Sequence, residues 1–461
     1  MHIAMRKILI FLSLTLLFTL PLEIYGQPTK WRDMYEVKKK DTMYGIAKKY
    51  GITVEELVTA NPDMGVEGYK LHKGDYIFIP YSKQTTTNTT ETTSTPSTTK
   101  SGKNAEDIRS RAINVGVMLP LHDVDGDGKR MTEYYRGLLL AIDELRSQGV
   151  SVNVYSWNVP IDADVRLTLT DSNAKNLDII FGPLYSKQVP ALADFCKAND
   201  IKLVIPFSIT GNDVGRCDKL FQIYQTPELL NDKAINAFLD TFGPCNTVFI
   251  DCNDTSSDKG LFTFGLRKRL DAKGMTYSIT NLKSSEEYFL KAFSKTKRNV
   301  VVLNTGRSPQ LNVAFAKLNN LSFNHPDYNI SMFGYTEWLI YTKVYSDLFH
   351  KYDAYIPTSF YFNELNSKTK DLRNKYLYWF NTDFQYARPQ LVVMGYDQGE
   401  FFLRGLHEFG KAFNGTRAES SYLPLQSPLT FEKVSGGGYK NQAFMLIHYK
   451  KDMSTDKIEI K

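Results

Sequence analysis

From Lys83 to Asn104 the chain reads "KQTTTNTTETTSTPSTTKSGKN", a stretch with nothing from which a core could be built. Ordering it would cost conformational entropy with no apolar burial to offset the loss. Any folded structure must therefore lie on either side, in two units that fold separately. Treated as a flexible coil, the run spans roughly 25 to 30 Å, and residues 81–111 read as a Thr-rich tether.

Away from the tether, 42% hydrophobic and 23% charged residues are the balance of ordinary folded protein. The net charge of +6 is thinly spread, and the densest basic run, Lys38 to Lys40, is closed by Asp41. Nucleic acid is not an expected partner. At the N-terminus Arg6 and Lys7 precede the apolar run Ile8 to Leu20, then Pro21 and Gly26. That is the pattern of a cleaved signal peptide over residues 1–26. A membrane helix would need about 20 apolar residues, and Pro21 and Glu23 interrupt this run. The expectation is a soluble periplasmic protein.

Residues 34–80 carry two helix patterns between two strands. Met43, Ile46, Ala47 and Tyr50 fall at helical spacing behind Asp41 or Thr42 as cap, and Gly51 ends the helix. Thr53 with Glu56 forms a capping box for a second helix that stops at Asn61-Pro62. Strands are expected at Tyr35 to Lys38 and Tyr76 to Ile79. With "KDTMYGIAKKYGITVEELVTANP" and "LHKGDYIFIP", this βααβ segment closely resembles the LysM family, which binds N-acetylglucosamine glycans such as peptidoglycan. The resemblance implies two facing binding loops, Lys40, Asp41, Thr42 and Met43 opposite Asn61, Pro62, Asp63 and Met64. Lys40 departs from the glycine usual in the family. For Asp41 and Thr42, helix capping is an equal alternative to glycan contact.

After the tether, short apolar strands alternate with amphipathic helices, which implies an α/β fold with parallel sheets covered on both faces. "INVGVMLPL", "VSVNVYSW", "LDIIFGPL" and "IKLVIPF" form one round, with a helix over Thr132 to Ser147. The rhythm restarts with "NTVFIDCND", "NVVVLNTG" and "ISMFGYTEW", so two lobes are expected. "IIFGPLYS", "LVIPFSIT" and "ARPQLVVMGYDQGEFFLRGLHEFG" resemble, in order, motifs of the type I periplasmic binding proteins, the branched-chain amino-acid receptor class. The resemblance implies a bilobed domain over 112–461, with lobe 1 at 112–226 and 358–412 and lobe 2 at 227–357 and 413–461. It further implies a ligand cleft at the carboxyl ends of the strands, lined by Tyr185, Ser186, Ser208 and Thr210 from one lobe and Asp251, Tyr335 and Glu337 from the other. The alternatives are turn and cap duty for the hydroxyls and core packing for Tyr185, Tyr335 and Trp338.

No catalytic signature stands out. "DVDGDG" at Asp123 to Gly128 starts like a calcium loop, but position 12 is Tyr134, with Glu133 one residue early. The glycines of "SGGGYKN" lead into a strand pattern and suggest a hairpin rather than a phosphate cradle. His407-Glu408 lacks a second histidine at zinc spacing, so no metal or other cofactor is expected. Cys196, Cys217, Cys245 and Cys252 lack zinc-site pairing. A Cys196–Cys217 disulfide is the expected pair, and four unpaired buried thiols are the alternative. Two functional readings follow. One is a non-enzymatic protein anchored to peptidoglycan that senses an amino acid or muropeptide through lobe closure. The other is a pocket-less regulator that docks on cell-wall synthesis proteins, as the resemblance to activators of penicillin-binding synthases implies.

Overall fold

The computed structural model describes residues 31–39, 41–61, 64, 71, 73, 76–80, 107–207, 210–419 and 422–460. The expected signal peptide, almost all of the expected tether, Lys40, Pro62, Asp63 and Ser208 lie outside the described residues. In the small domain β1 (Trp31–Glu36) pairs antiparallel with β2 (Tyr76–Pro80), Met34 opposite Phe78. Between them lie α1 (Met43–Tyr50) and α2 (Val54–Ala60). Thr42 caps α1, and Gly51 closes it at φ 66, a conformation that favours glycine. The reciprocal Thr53 and Glu56 bonds cap α2. Ile46, Ala47, Tyr50 and Leu57 meet Tyr35, Ile77 and Ile79 in one small core. β1 starts before the expected Tyr35, since its pairing with β2 reaches back to Trp31.

The large domain holds two seven-stranded sheets. In the first, β3 (Ile113–Leu119), β4 (Val152–Asn158), β5 (Ile179–Phe181), β6 (Lys202–Ile205) and β7 (Leu220–Gln222) run parallel. In the second, β8 (Asn246–Asp251), β9 (Tyr277–Asn281), β10 (Asn299–Leu303), β11 (Ile330–Phe333) and β12 (Ala354–Thr358) do the same. The near-continuous apolar runs of the inner strands follow from burial on both faces, while the edge strands β4 and β9 keep exposed positions. Covering helices are α3 (Gly126–Ser147), α4 (Val189–Asn199), α5 (Pro227–Phe242), α6 (Gly260–Ala272), α7 (Glu286–Leu290), α8 (Ser308–Asn324), α9 (Thr342–Lys351), α10 (Ser367–Phe380) and α11 (Leu391–Phe409).

Two sequence expectations are corrected here. α3 begins at Gly126, not Thr132, because the Asp125 carboxylate accepts from the Gly128 N–H at 2.8 Å and caps a turn earlier. Residues 413–441, expected in the second lobe, run with the first sheet: β14 (Tyr439–Asn441) extends its edge parallel to β7, and β13 (Phe431–Lys433) pairs back on β14. Only then do β15 (Phe444–Tyr449) and β16 (Thr455–Ile460) complete the second sheet. The glycines of "SGGGYKN" thus turn a hairpin within the first lobe.

The chain crosses between lobes three times, after β7, after β12 and after β14. The Gln225 amide ties the first crossing to the third, donating to the Asn441 and Ala443 carbonyls at 3.1 and 3.0 Å. The Tyr361 N–H of the second crossing donates to the Gln426 carbonyl at 2.9 Å. Gln426 is in turn held by Asp397 of α11, which is fully buried. α11 lies against α3 with almost no gap: a Cβ on Gly137 would sit 1.9 Å from the Val392 carbonyl oxygen, and one on Gly395 2.0 Å from that of Tyr134.

All four cysteines are buried and free, so the expected Cys196–Cys217 disulfide is not formed. The Cys217 thiol donates instead to the Ala193 carbonyl at 3.5 Å. Burial pushes the Cys252 thiol up to about 12 and Cys196 well above its ordinary value, which leaves inert thiols.

Lys202 sits at the start of β6, its ammonium donating to the Lys411 carbonyl at 3.1 Å. Burial, with Lys219 adding to it and Asp200 opposing, lowers its pKa from 10.5 to about 8. Between those values the native state holds fewer protons than the unfolded chain, so this group's contribution to stability rises with pH. Lys202→Met is expected to raise stability by about 1–2 kcal/mol at pH 7. The gain should fade as the pH approaches 10, read from urea midpoints at pH 7, 9 and 10; a gain that grows with pH would contradict the assignment.

Candidate functional site

The loop residues predicted for glycan contact in the small domain are strongly tied to the fold. The Asp41 carboxylate accepts from the Lys38 N–H at 2.7 Å and the Tyr35 hydroxyl at 2.8 Å. The Thr42 hydroxyl accepts from the Gly45 N–H at 3.0 Å, the capping role weighed above. Asn61 is buried, donating to the Leu57 carbonyl at 2.8 Å. Met64 is buried, and Met43 packs partly buried against the same apolar cluster, so the two loops share a floor. Beside them Tyr44 is 68% exposed. Sequence reasoning missed it, although an aromatic following the cap at an open helix end is a signal for sugar stacking.

In the large domain the predicted cleft residues come from strand ends as expected, but few are free. From the first lobe, the Tyr185 hydroxyl donates to Asp127 at 3.0 Å; its burial, and then Asp127, push the phenol up to about 12. The Ser186 hydroxyl accepts from the Thr210 N–H at 2.8 Å, which joins the two turns. From the second lobe, Asp251 at the end of β8 accepts from the Asn304 amide and the Asn253 N–H, both at 2.9 Å. Glu337 is ion-paired with Lys259 at 2.5 Å. Tyr335 and Trp338 do not line the cleft. The Tyr335 hydroxyl is buried on the Leu303 carbonyl, and Trp338 stacks on Phe349 with no exposed surface. Core packing, the alternative given for these two residues, is what the structure shows.

Lys259, Asp254 and Arg307 were not singled out from the sequence. Asp254 accepts from the Thr305 hydroxyl at 2.7 Å and pairs with Arg307 at 3.2 Å, and the Thr305 bond leads in holding its carboxyl below the usual range. Burial works to lower the Lys259 pKa, but Glu337 and then Asp258 carry it above the ordinary value. The loops after β8, β10 and β11 thus present two ion pairs that satisfy each other. A cavity of about 530 Å³ lies between α7 and α8, and a polar hollow of about 470 Å³ lies around Arg298, Asp353 and His448. Neither includes a predicted cleft residue. Among the described residues no cluster of His, Cys, Asp or Glu is arranged to hold a metal ion, and no helix is long and apolar enough to cross a membrane.

The LysM domain family matches residues 35–80. No curated protein matches the chain. Among solved structures, a putative branched-chain amino acid ABC transporter protein from Rhodospirillum rubrum is similar at 14% identity and a TM-score of 0.48, covering 76% of this chain and 100% of that one. A branched chain amino acid ABC transporter periplasmic ligand-binding protein from Burkholderia xenovorans is similar at 15% identity and a TM-score of 0.42, covering 75% of this chain and 94% of that one. Haemophilus influenzae LpoA is similar at 14% identity and a TM-score of 0.47, covering 77% of this chain and 60% of that one. The strand orders and the three crossings, rather than these loose likenesses, define the architecture. The LysM family model accounts for residues 35–80 of this chain, and residues 113–460 form a separate α/β fold of two seven-stranded sheets, each with its own lobe.

Proposed function

We propose that this is a non-catalytic, periplasmic, peptidoglycan-binding protein, in which the LysM domain holds a bilobed receptor-like domain at the cell wall to sense a small ligand such as an amino acid or muropeptide. The observation that carries the reading is the LysM domain itself, with an open helix end at Thr42 and Tyr44 over the Met43 and Met64 floor. Anchoring raises the local concentration of the second domain at its target, which suits a sensor or regulator better than a diffusing carrier. Lobe closure on a ligand at strand carboxyl ends is the general behaviour of paired open parallel sheets.

A second reading, a regulator that docks on cell-wall synthesis proteins, is favoured by the Lys259–Glu337 and Arg307–Asp254 pairs. Side chains that already satisfy each other must be separated before they can hold a solute, and that separation opposes binding.

Two measurements test these readings. The full chain should sediment with purified peptidoglycan sacculi, and a chain lacking residues 35–80 should lose at least tenfold in bound fraction; equal binding by both would refute the anchoring role. The full chain's melting temperature should then rise with one class among amino acids and muropeptides. A ligand at 100 times its dissociation constant stabilises by about 2.7 kcal/mol. A flat response with intact sacculus binding would overturn sensing and leave the docking reading.

A further inference from the structure

We propose that the first lobe carries a docking seat for the LysM domain, the outward face of α10 centred on Trp379. The indole of Trp379 stacks on Tyr50 with ring centroids 6.1 Å apart and planes 26° from parallel. It packs partly buried against the small domain's own apolar cluster, as Met43, Val54 and Val58 do. Tyr50 is only 2% exposed, held edge-on by Tyr35 at 5.6 Å. The seat therefore meets a rigid ring rather than a mobile one.

Trp379 lies off the buried stripe by which α10 covers its own lobe. Thr369, Leu372, Tyr376 and Phe380 form its buried stripe, with Leu372, Tyr376 and Phe380 in one apolar cluster with Leu140 of α3 and Val392 of α11. That stripe is all a helix covering one lobe requires. Yet Leu377 and Tyr378 add apolar surface outside it, 41% and 61% exposed, and Tyr386 beyond the helix is 75% exposed. These side chains stay exposed with the LysM domain seated, so they lie beside the seat, and Trp379 itself carries the contact. The LysM domain is the occupant that the ring contact identifies.

Orientation gives the seat its meaning. Tyr50 is the last residue of α1 and Thr42 is its cap, so the seated end and the open end are about 12 Å apart along the helix. A docked LysM domain keeps Thr42 and Tyr44 accessible. α10 is the first helix after the second crossing between the lobes, and Trp379 lies at its far end from that crossing. The inference does not depend on what the LysM domain binds, and its test uses no glycan.

Small-angle scattering of the full chain decides it. Wild type and Tyr386→Ala should scatter as one compact particle. Trp379→Ala should show a larger maximum dimension, from a roughly tenfold fall in the ratio of docked to undocked molecules. Trp379→Gln, which keeps a long helix-compatible side chain, repeats the test if alanine impairs folding. A wild type as extended as the Trp379 variants, or Trp379 variants as compact as wild type, would overturn the proposal.

Discussion

Gly395→Ala should destabilise the first lobe by about 3 kcal/mol or more, at the upper end of what overpacking costs. Its added methyl would lie 2.0 Å from the Tyr134 carbonyl oxygen and 3.0 Å from the Leu138 nitrogen, both backbone atoms of α3 that cannot rotate aside. The reciprocal contact of Gly137 on the Val392 carbonyl pins the same crossing from the other helix. Relief therefore requires α3 and α11 to part, and that opens the layer containing Tyr134, Leu138 and Phe402. The check is a urea midpoint for Gly395→Ala beside Gly260→Ala. Gly260 opens α6 with nothing within 4 Å of its Cβ position, so that variant should stay within about 0.5 kcal/mol of wild type. Equal midpoints for the two would mean the helices are not in backbone contact.

Asp397→Asn should cost about 2–4 kcal/mol. The Asp397 carboxylate, fully buried, accepts from the Tyr422 hydroxyl at 2.8 Å and from the N–H groups of Leu425, Gln426 and Ser427 at 2.8, 2.9 and 2.9 Å. An amide in its place points its NH2 at the N–H groups of Gln426 and Ser427, or at the Leu425 N–H beside the Tyr422 hydroxyl, and no backbone N–H can accept from it. The damage would extend beyond α11, because Gln426 carries the Tyr361 N–H of the second crossing on its carbonyl. Faster hydrogen exchange at Tyr361, together with a lowered urea midpoint, is the expected result. An unchanged exchange rate would show that the crossing is held by something other than this node.

What the sequence made legible is what neighbouring residues decide among themselves. The Thr53–Glu56 box was readable because both partners lie within one turn, and the apolar strands because burial on two faces leaves no polar alternation. The start of α3 was misplaced because an aspartate that caps a helix and one that begins a calcium loop look alike; only the Gly128 bond separates them. β13 and β14 escaped because three-residue strands carry almost no periodicity, and their place depends on an edge at β7 more than 200 residues earlier. In the cleft, Asp251 and Glu337 were found as strand-end carboxylates. Lys259 was not, because its pairing with a residue 78 positions away leaves no local pattern.

The three crossings also dictate an order of completion. The first sheet needs residues 113–222 and then 431–441, while the five parallel strands of the second are supplied without interruption by residues 246–358. As the chain emerges from its N-terminus, the inner lobe of the sequence has its central strands in hand while the outer lobe still lacks an edge and its long helix α11. Any truncation before residue 441 therefore strips both sheets at once, and a stalled chain exposes the open edge of β7 to neighbours. Chain connectivity thus makes residues 431–460 a checkpoint for both sheets.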